Sequence, residues 1–196
     1  MSEKKLVAFE GIPGGGKTSV FHEISRSMPN QFTFIPELVK QFDPLTEQSI
    51  DSVLENDQEK YRIVRLSELS AVMDRSFVST LNWEFVLNSR KNHNRSDGKT
   101  DRINEMISKN ELWPANYYFF FDISPKVSIT RKRLPKDEGL AWSTEESLAI
   151  AIAHYYEYFQ KVETQSKVII IDAEEALNVV LANVANLLSL VLKEKI

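Results

Sequence analysis

The sequence predicts an α/β protein of three layers, a five-stranded parallel sheet with helices on both faces. Three observations lead there. Short apolar runs of strand length alternate with longer segments whose apolar residues recur every three or four positions, the pattern of βα units that feed a parallel sheet. The chain has 196 residues, enough for one domain with a full core. Four of its six glycines, Gly11, Gly14, Gly15 and Gly16, crowd into six positions just after the first apolar run, which marks a local backbone demand.

Leu6 to Phe9 is apolar and stops at Glu10-Gly11, a buried strand ending in a turn. Lys17 to about Met28 reads as a helix with Val20, Phe21 and Ile24 on one side and Pro29 as its stop. Phe32 to Ile35 is the second strand, ended by Pro36. From about Ile50 to Leu69 the spacing of Val53, Leu54, Tyr61, Val64 and Leu69 is helical. Ala71-Val72-Met73 is the third strand, running into Asp74-Arg75-Ser76, and a helix follows from Phe77 to Leu87. Residues 88–102, polar and of mixed charge, read as a loop. Tyr117 to Ile123 is an aromatic-rich strand, and Pro125 to Arg133 a helix. Ser143-Thr144-Glu145-Glu146 is a capping-box pattern. It should open a long helix with Leu148, Ile152, Tyr155, Phe159 and Val162 on one face. Lys167 to Asp172 is the fifth strand, and Ala176 to Leu192, interrupted by three asparagines, is an amphipathic terminal helix.

Gly11-Ile12-Pro13-Gly14-Gly15-Gly16-Lys17-Thr18 fits G-x-x-x-x-G-K-[ST], the phosphate-binding P-loop, and sits between a strand and a helix as that motif requires. Phosphate oxygens must lie against backbone N–H groups there, where side chains would obstruct them. Gly11, Pro13, Gly14, Gly15, Gly16, Lys17, Thr18 and Ser19 are therefore the expected ATP-binding residues. Lys17 would reach the β- and γ-phosphates, Thr18 would ligate Mg²⁺, and the following helix adds its positive dipole end. No Asn-Lys-x-Asp base-reading motif of GTPases is present, and the length suits phosphate transfer to a small acceptor.

Further along, the sequence resembles the deoxynucleoside kinase and thymidylate kinase branch of P-loop kinases. The residues that carry the resemblance are Phe9-Glu10-Gly11 before the loop, Pro36-Glu37-Leu38-Val39-Lys40-Gln41-Phe42, and Asp74-Arg75-Ser76-Phe77-Val78-Ser79. The second is similar to the deoxynucleoside kinase segment P-E-P-V-x-x-W, the third to [DE]-R-[SYH]-x-x-S. The resemblance implies a three-layer P-loop kinase fold and an ATP-dependent phosphotransferase acting on a nucleoside or nucleoside monophosphate. It makes Glu37 the base beside the acceptor hydroxyl, places Asp74 near the magnesium, and sets Arg75 on the acceptor or the transferring phosphate. Ile129-Thr130-Arg131-Lys132-Arg133 and the residues after it are similar to the family's arginine-rich lid. A lid at about 131–142 would then present Arg131 and Arg133 to the phosphates, with residues 1–196 forming a single domain. The helix between Glu37 and Asp74 should wall the acceptor pocket, with Gln58, Tyr61, Arg62 and Arg65 in reach and Tyr61 and Arg65 the expected substrate contacts. An acidic residue at position 13 and an R-E-P-G segment, usual in thymidylate kinases, are absent.

The charge balance, 24 basic against 28 acidic residues, gives no broad basic field and argues against a nucleic-acid polymer as partner. Cysteine is absent, which removes disulfides and thiolate chemistry. The amino-terminal apolar run is too short for a signal peptide and the terminal helix too interrupted for a membrane span, so a soluble cytoplasmic protein is expected. The resemblance allows a homodimer. Two other readings stay open: a P-loop kinase of a different small hydroxyl compound, and a nucleotide-binding switch without an acceptor.

Overall fold

A computed structural model describes residues 4–39, 50–90, 98–132 and 142–194. Five strands, β1 (Leu6–Glu10), β2 (Thr33–Ile35), β3 (Ala71–Asp74), β4 (Tyr117–Asp122) and β5 (Lys167–Asp172), form one parallel sheet in the order β2-β3-β1-β4-β5. Val7 lies between Val72 of β3 and Tyr117 of β4, and Phe9 between Asp74 and Phe119. The chain reverses direction across the sheet between β1 and its two neighbours. The crevice at the carboxyl ends of those strands is where ligands settle in such sheets.

The helices are α1 (Lys17–Ser27), α2 (Ile50–Leu66), α3 (Phe77–Arg90), α4 (Lys99–Ser108), α5 (Pro125–Lys132), α6 (Glu145–Val162) and α7 (Leu177–Lys193). The aromatics of β4 show why three layers form. Phe119 and Phe121 point to one face, where Phe9 packs on both and meets Phe21 of α1. Tyr118 and Phe120 point to the other, against Tyr155, Tyr158 and Phe159 of α6. A strand with large apolar groups on alternate sides needs cover on both. Each fully buried aromatic contributes roughly 1.5–3 kcal/mol through removal from water. α7 packs beside α1, and α3 beside α6.

Two expectations need correction. Residues 88–102 are not a loop throughout: α3 runs to Arg90, and α4 begins at Lys99. Its inward residues Lys99, Ile103 and Met106 keep helical spacing, but three apolar residues among seven polar ones give little sequence signal. The capping box of α6 also starts one residue later than expected. Thr144 is the N-cap, its hydroxyl accepting from Ser147 N at 3.1 Å while Ser147 Oγ accepts from Thr144 N at 3.1 Å. Serine does the work expected of Glu146. No helix among the described residues is long and apolar enough to cross a membrane.

Candidate active site

The P-loop hangs between β1 and α1 and rests on two neighbours. Gly11 has φ +133°, and a Cβ there would lie 2.6 Å from the Phe121 carbonyl oxygen. Gly14 has φ +81°, and its Cβ would lie 2.9 Å from the Ser128 carbonyl oxygen. Both positions are therefore closed to side chains. Ser128 Oγ donates to the Pro13 carbonyl at 2.6 Å, fixing the crest of the loop to α5. Gly16 forms the N-cap of α1 in a left-handed conformation and offers no side-chain cap, and the first turn carries no acidic residue. The leading N–H groups of the helix are thus left to an anion.

Lys17 is buried, and its Nζ donates to the Gly11 and Ile12 carbonyls at 2.8 Å each. Burial, and next the charge of Arg75, push its ammonium well below its ordinary pKa. A nearby polyanion would relieve that penalty. Thr18 Oγ1 donates to Asp74 Oδ2 at 2.8 Å, while Asp74 Oδ1 is buried and accepts nothing among the described residues. Ser19 is exposed on the first turn of α1.

Arg75 follows β3 with φ +61°, a conformation seldom adopted outside glycine. Its Nη1 donates to the Gly11 carbonyl at 3.2 Å and to Ser79 Oγ at 3.1 Å. Nε sits 2.9 Å from Glu37 Oε1, an ion pair without an aligned hydrogen bond. Trp142 lies under the guanidinium at 5.1 Å. Beneath it, Glu10 closes the floor. Its carboxylate accepts from Ser76 N at 2.7 Å, Ser76 Oγ at 2.6 Å, Ser79 Oγ at 2.5 Å and Tyr155 OH at 3.3 Å.

Glu37 and Arg75 open onto a cleft of about 280 Å³ walled by α2, α3 and Trp142. The α2 residues that face it are Val53, Asn56, Asp57 and Lys60, one helical stripe. Asn56 holds the segment after β2, donating to Glu37 O and accepting from Val39 N, both at 3.0 Å. Lys60 Nζ donates to the Asp74 carbonyl at 2.9 Å and to the Arg75 carbonyl. Asp57 Oδ2 accepts from Thr80 Oγ1 at 2.8 Å. Burial raises the Asp57 carboxyl to about 6, against the opposing pull of Lys60, and lowers the Lys60 ammonium.

The structure thus brings Lys17, Thr18, Glu37, Asp74 and Arg75 together, but it does not bring the expected α2 residues to the cleft. Tyr61 is fully buried against Phe77 and Trp113. Arg65 lies over Trp113 and bonds the Asn110 carbonyl at the opposite end of the sheet. Gln58 bonds Glu111, and Arg62 pairs with Glu59. These residues sit on the flank beside the cleft stripe. Arg131 has its guanidinium on the Ala173 and Glu174 carbonyls in the turn after β5. Arg133 and most of the expected lid, residues 133–141, lie outside the described residues. Glu10, Asp57, Lys60 and Ser128 were not singled out by sequence reasoning as site residues. Only Glu10 had a signal, its place directly before the first P-loop glycine.

Sheet order, P-loop and strand-end cleft define a P-loop protein with the fold of the deoxynucleoside kinases. No family model matches the chain. It is a distant homologue of a thymidylate kinase from Mycoplasma mobile, 24% identical over 220 aligned positions that cover 96% of this chain and all of that protein. Among solved structures it is similar to deoxyadenosine kinase from M. mycoides with bound dATP, with a TM-score of 0.71, 20% identity, and coverage of 94% of this chain and 99% of the other. The same kinase with dCMP and a flexible dCDP gives a TM-score of 0.65 at 17% identity, covering 95% and 99%.

Proposed function

We propose that this chain is an ATP- and Mg²⁺-dependent kinase that phosphorylates a nucleoside or nucleoside monophosphate. The observation that carries the reading is Arg75, one side chain that bonds the first P-loop carbonyl and pairs with Glu37 in the adjoining cleft. A single cation thereby spans the proposed donor and acceptor sites, where it can position both reactants and stabilise the moving charge. The kinases this chain is similar to are named for deoxyadenosine and thymidylate, which supports the same substrate class.

The γ-phosphoryl group of ATP would lie against the loop N–H groups and Lys17. With a nucleoside acceptor, Glu37 takes the proton of the attacking hydroxyl as its oxygen bonds to phosphorus, and the bond to the ADP oxygen breaks with its electron pair. Arg75 and Lys17 balance the charge on the moving group. The residues fit a magnesium ion, since Mg²⁺ beside phosphates needs one or two protein ligands and otherwise water. Thr18 and the unpartnered Asp74 Oδ1 supply such a set, and the ion would neutralise phosphate charge. Glu37→Gln tests the assignment: turnover should fall at least a hundredfold while ATP affinity changes less than threefold. Equal loss of ATP affinity would move Glu37 to the donor side.

A further inference from the structure

The end of the cleft remote from the P-loop holds an acceptor, on a largely buried side chain, that the reaction above does not use. From Ser76, beside the Glu10 floor, α3 carries the cleft wall away from Arg75. At the helical rise, Thr80 lies about 6 Å and Trp83 about 10 Å along from Ser76. That span separates the base of a nucleoside from its 5′ oxygen. Trp83 and Trp142 meet edge to face at 4.9 Å and give this end an aromatic wall.

Most polar groups around the cleft have work already. Asn56 uses both amide atoms on the segment after β2, Lys60 holds the Asp74 and Arg75 carbonyls, and Ser76 and Ser79 serve Glu10. Asp57 differs. It is 4% exposed and lines the cleft, and Thr80 satisfies Oδ2 while Oδ1 accepts no hydrogen bond among the described residues. A carboxylate oxygen without a partner, on a largely buried side chain that lines a binding cleft, selects for a donor. Adenine, cytosine and guanine offer an exocyclic amino group. Thymine and uracil offer carbonyl oxygens flanking one N–H, and a carbonyl set against a carboxylate repels it.

We propose that Asp57 reads the exocyclic amino group of the acceptor's base, so that the substrate is an amino-bearing nucleoside or nucleotide and not a thymine or uracil one. The inference rests on the kinase reading for its acceptor class and separates the two kinds of relative, the thymidylate kinase and the deoxyadenosine kinase. It assigns this chain to the amino-base side.

The test uses base pairs of ligands that differ at the amino group alone or nearly so: deoxycytidine against deoxyuridine, and deoxyadenosine against deoxyinosine, each as nucleoside and 5′-monophosphate. Equilibrium binding is read by tryptophan fluorescence and phosphoryl transfer by ADP release. The wild-type protein should bind the amino member about tenfold or more tightly, the scale of one buried hydrogen bond to a charged group. Asp57→Asn, isosteric and able to donate, should cut that ratio below threefold or invert it. Equal wild-type affinity for both members of each pair, or an unchanged ratio in Asp57→Asn, overturns the proposal while ADP release keeps the kinase reading. Amino-selective binding without phosphoryl transfer does the reverse. Failure of every nucleoside and monophosphate to bind overturns both. If Asp57→Asn does not fold, the wild-type ratios decide alone.

Discussion

Replacing Glu10 by alanine should destabilise the protein by about 3 kcal/mol and disable the site from beneath. The magnitude follows from what the carboxylate holds. Ser76 N–H, 2.7 Å from Oε1, would be left buried without an acceptor, at a cost of roughly 1–3 kcal/mol. Three hydroxyls would lose their partner, although Ser76, Ser79 and Tyr155 can rotate toward other acceptors. Glu10 is also a nearby anion for the buried cations Lys17, Lys60 and Arg75, so its removal raises the cost of burying each. Relief of the carboxylate's own desolvation offsets part of the sum. For a chain of this length the thermal midpoint should drop about 10 °C. Urea unfolding followed by circular dichroism measures the change directly. A loss below 1 kcal/mol would refute the view that Glu10 is the electrostatic floor of the site.

Gly11→Ala should abolish ATP binding, because its Cβ would lie 2.6 Å from the Phe121 carbonyl at a φ closed to alanine; titration with labelled ATP checks this. Asp57 should make stability fall with rising pH. Its carboxyl goes from 3.8 to about 6 on folding, so the folded state holds the proton more tightly, its stabilising effect is complete below about 3.8, and it disappears as pH passes about 6. The stability of wild type relative to Asp57→Asn should therefore decline by about 2 kcal/mol between pH 4 and pH 6.5, measured by urea melts across that range; a flat difference contradicts the buried placement of the carboxyl.

What the sequence made legible was contiguous or periodic. The P-loop is eight adjacent residues whose glycines have steric meaning, and β4 and α6 announce themselves by aromatic content. The acceptor wall was not legible for a geometric reason. On α2 the stripe Val53, Asn56, Asp57, Lys60 and the stripe Leu54, Gln58, Tyr61, Arg65 are adjacent on the helix surface, and either is plausible as the face toward a ligand. Choosing between them requires knowing how α2 lies against β2 and α3. A buried Asp57 and Lys60, three residues apart, read in sequence as a solvated pair. The contacts of Arg131 were not legible for a related reason: charge and position suggest a phosphate contact, but only the fold brings the turn after β5 within reach of its guanidinium. Glu37 and Asp74 lie at or just after strand ends, where position along the chain and position at the crevice coincide, so their placement at the crevice could be read from the sequence.

The central claim is that the P-loop and the adjoining cleft work together to move a phosphoryl group onto a nucleoside or its monophosphate. The most direct measurement incubates the protein with Mg²⁺, ATP labelled at the γ-phosphate, and each deoxynucleoside and deoxynucleoside monophosphate in turn. A labelled acceptor should form in one-to-one ratio with ADP, absent when Lys17 is replaced by alanine. Label found only in inorganic phosphate, at a rate no acceptor alters, would contradict the claim.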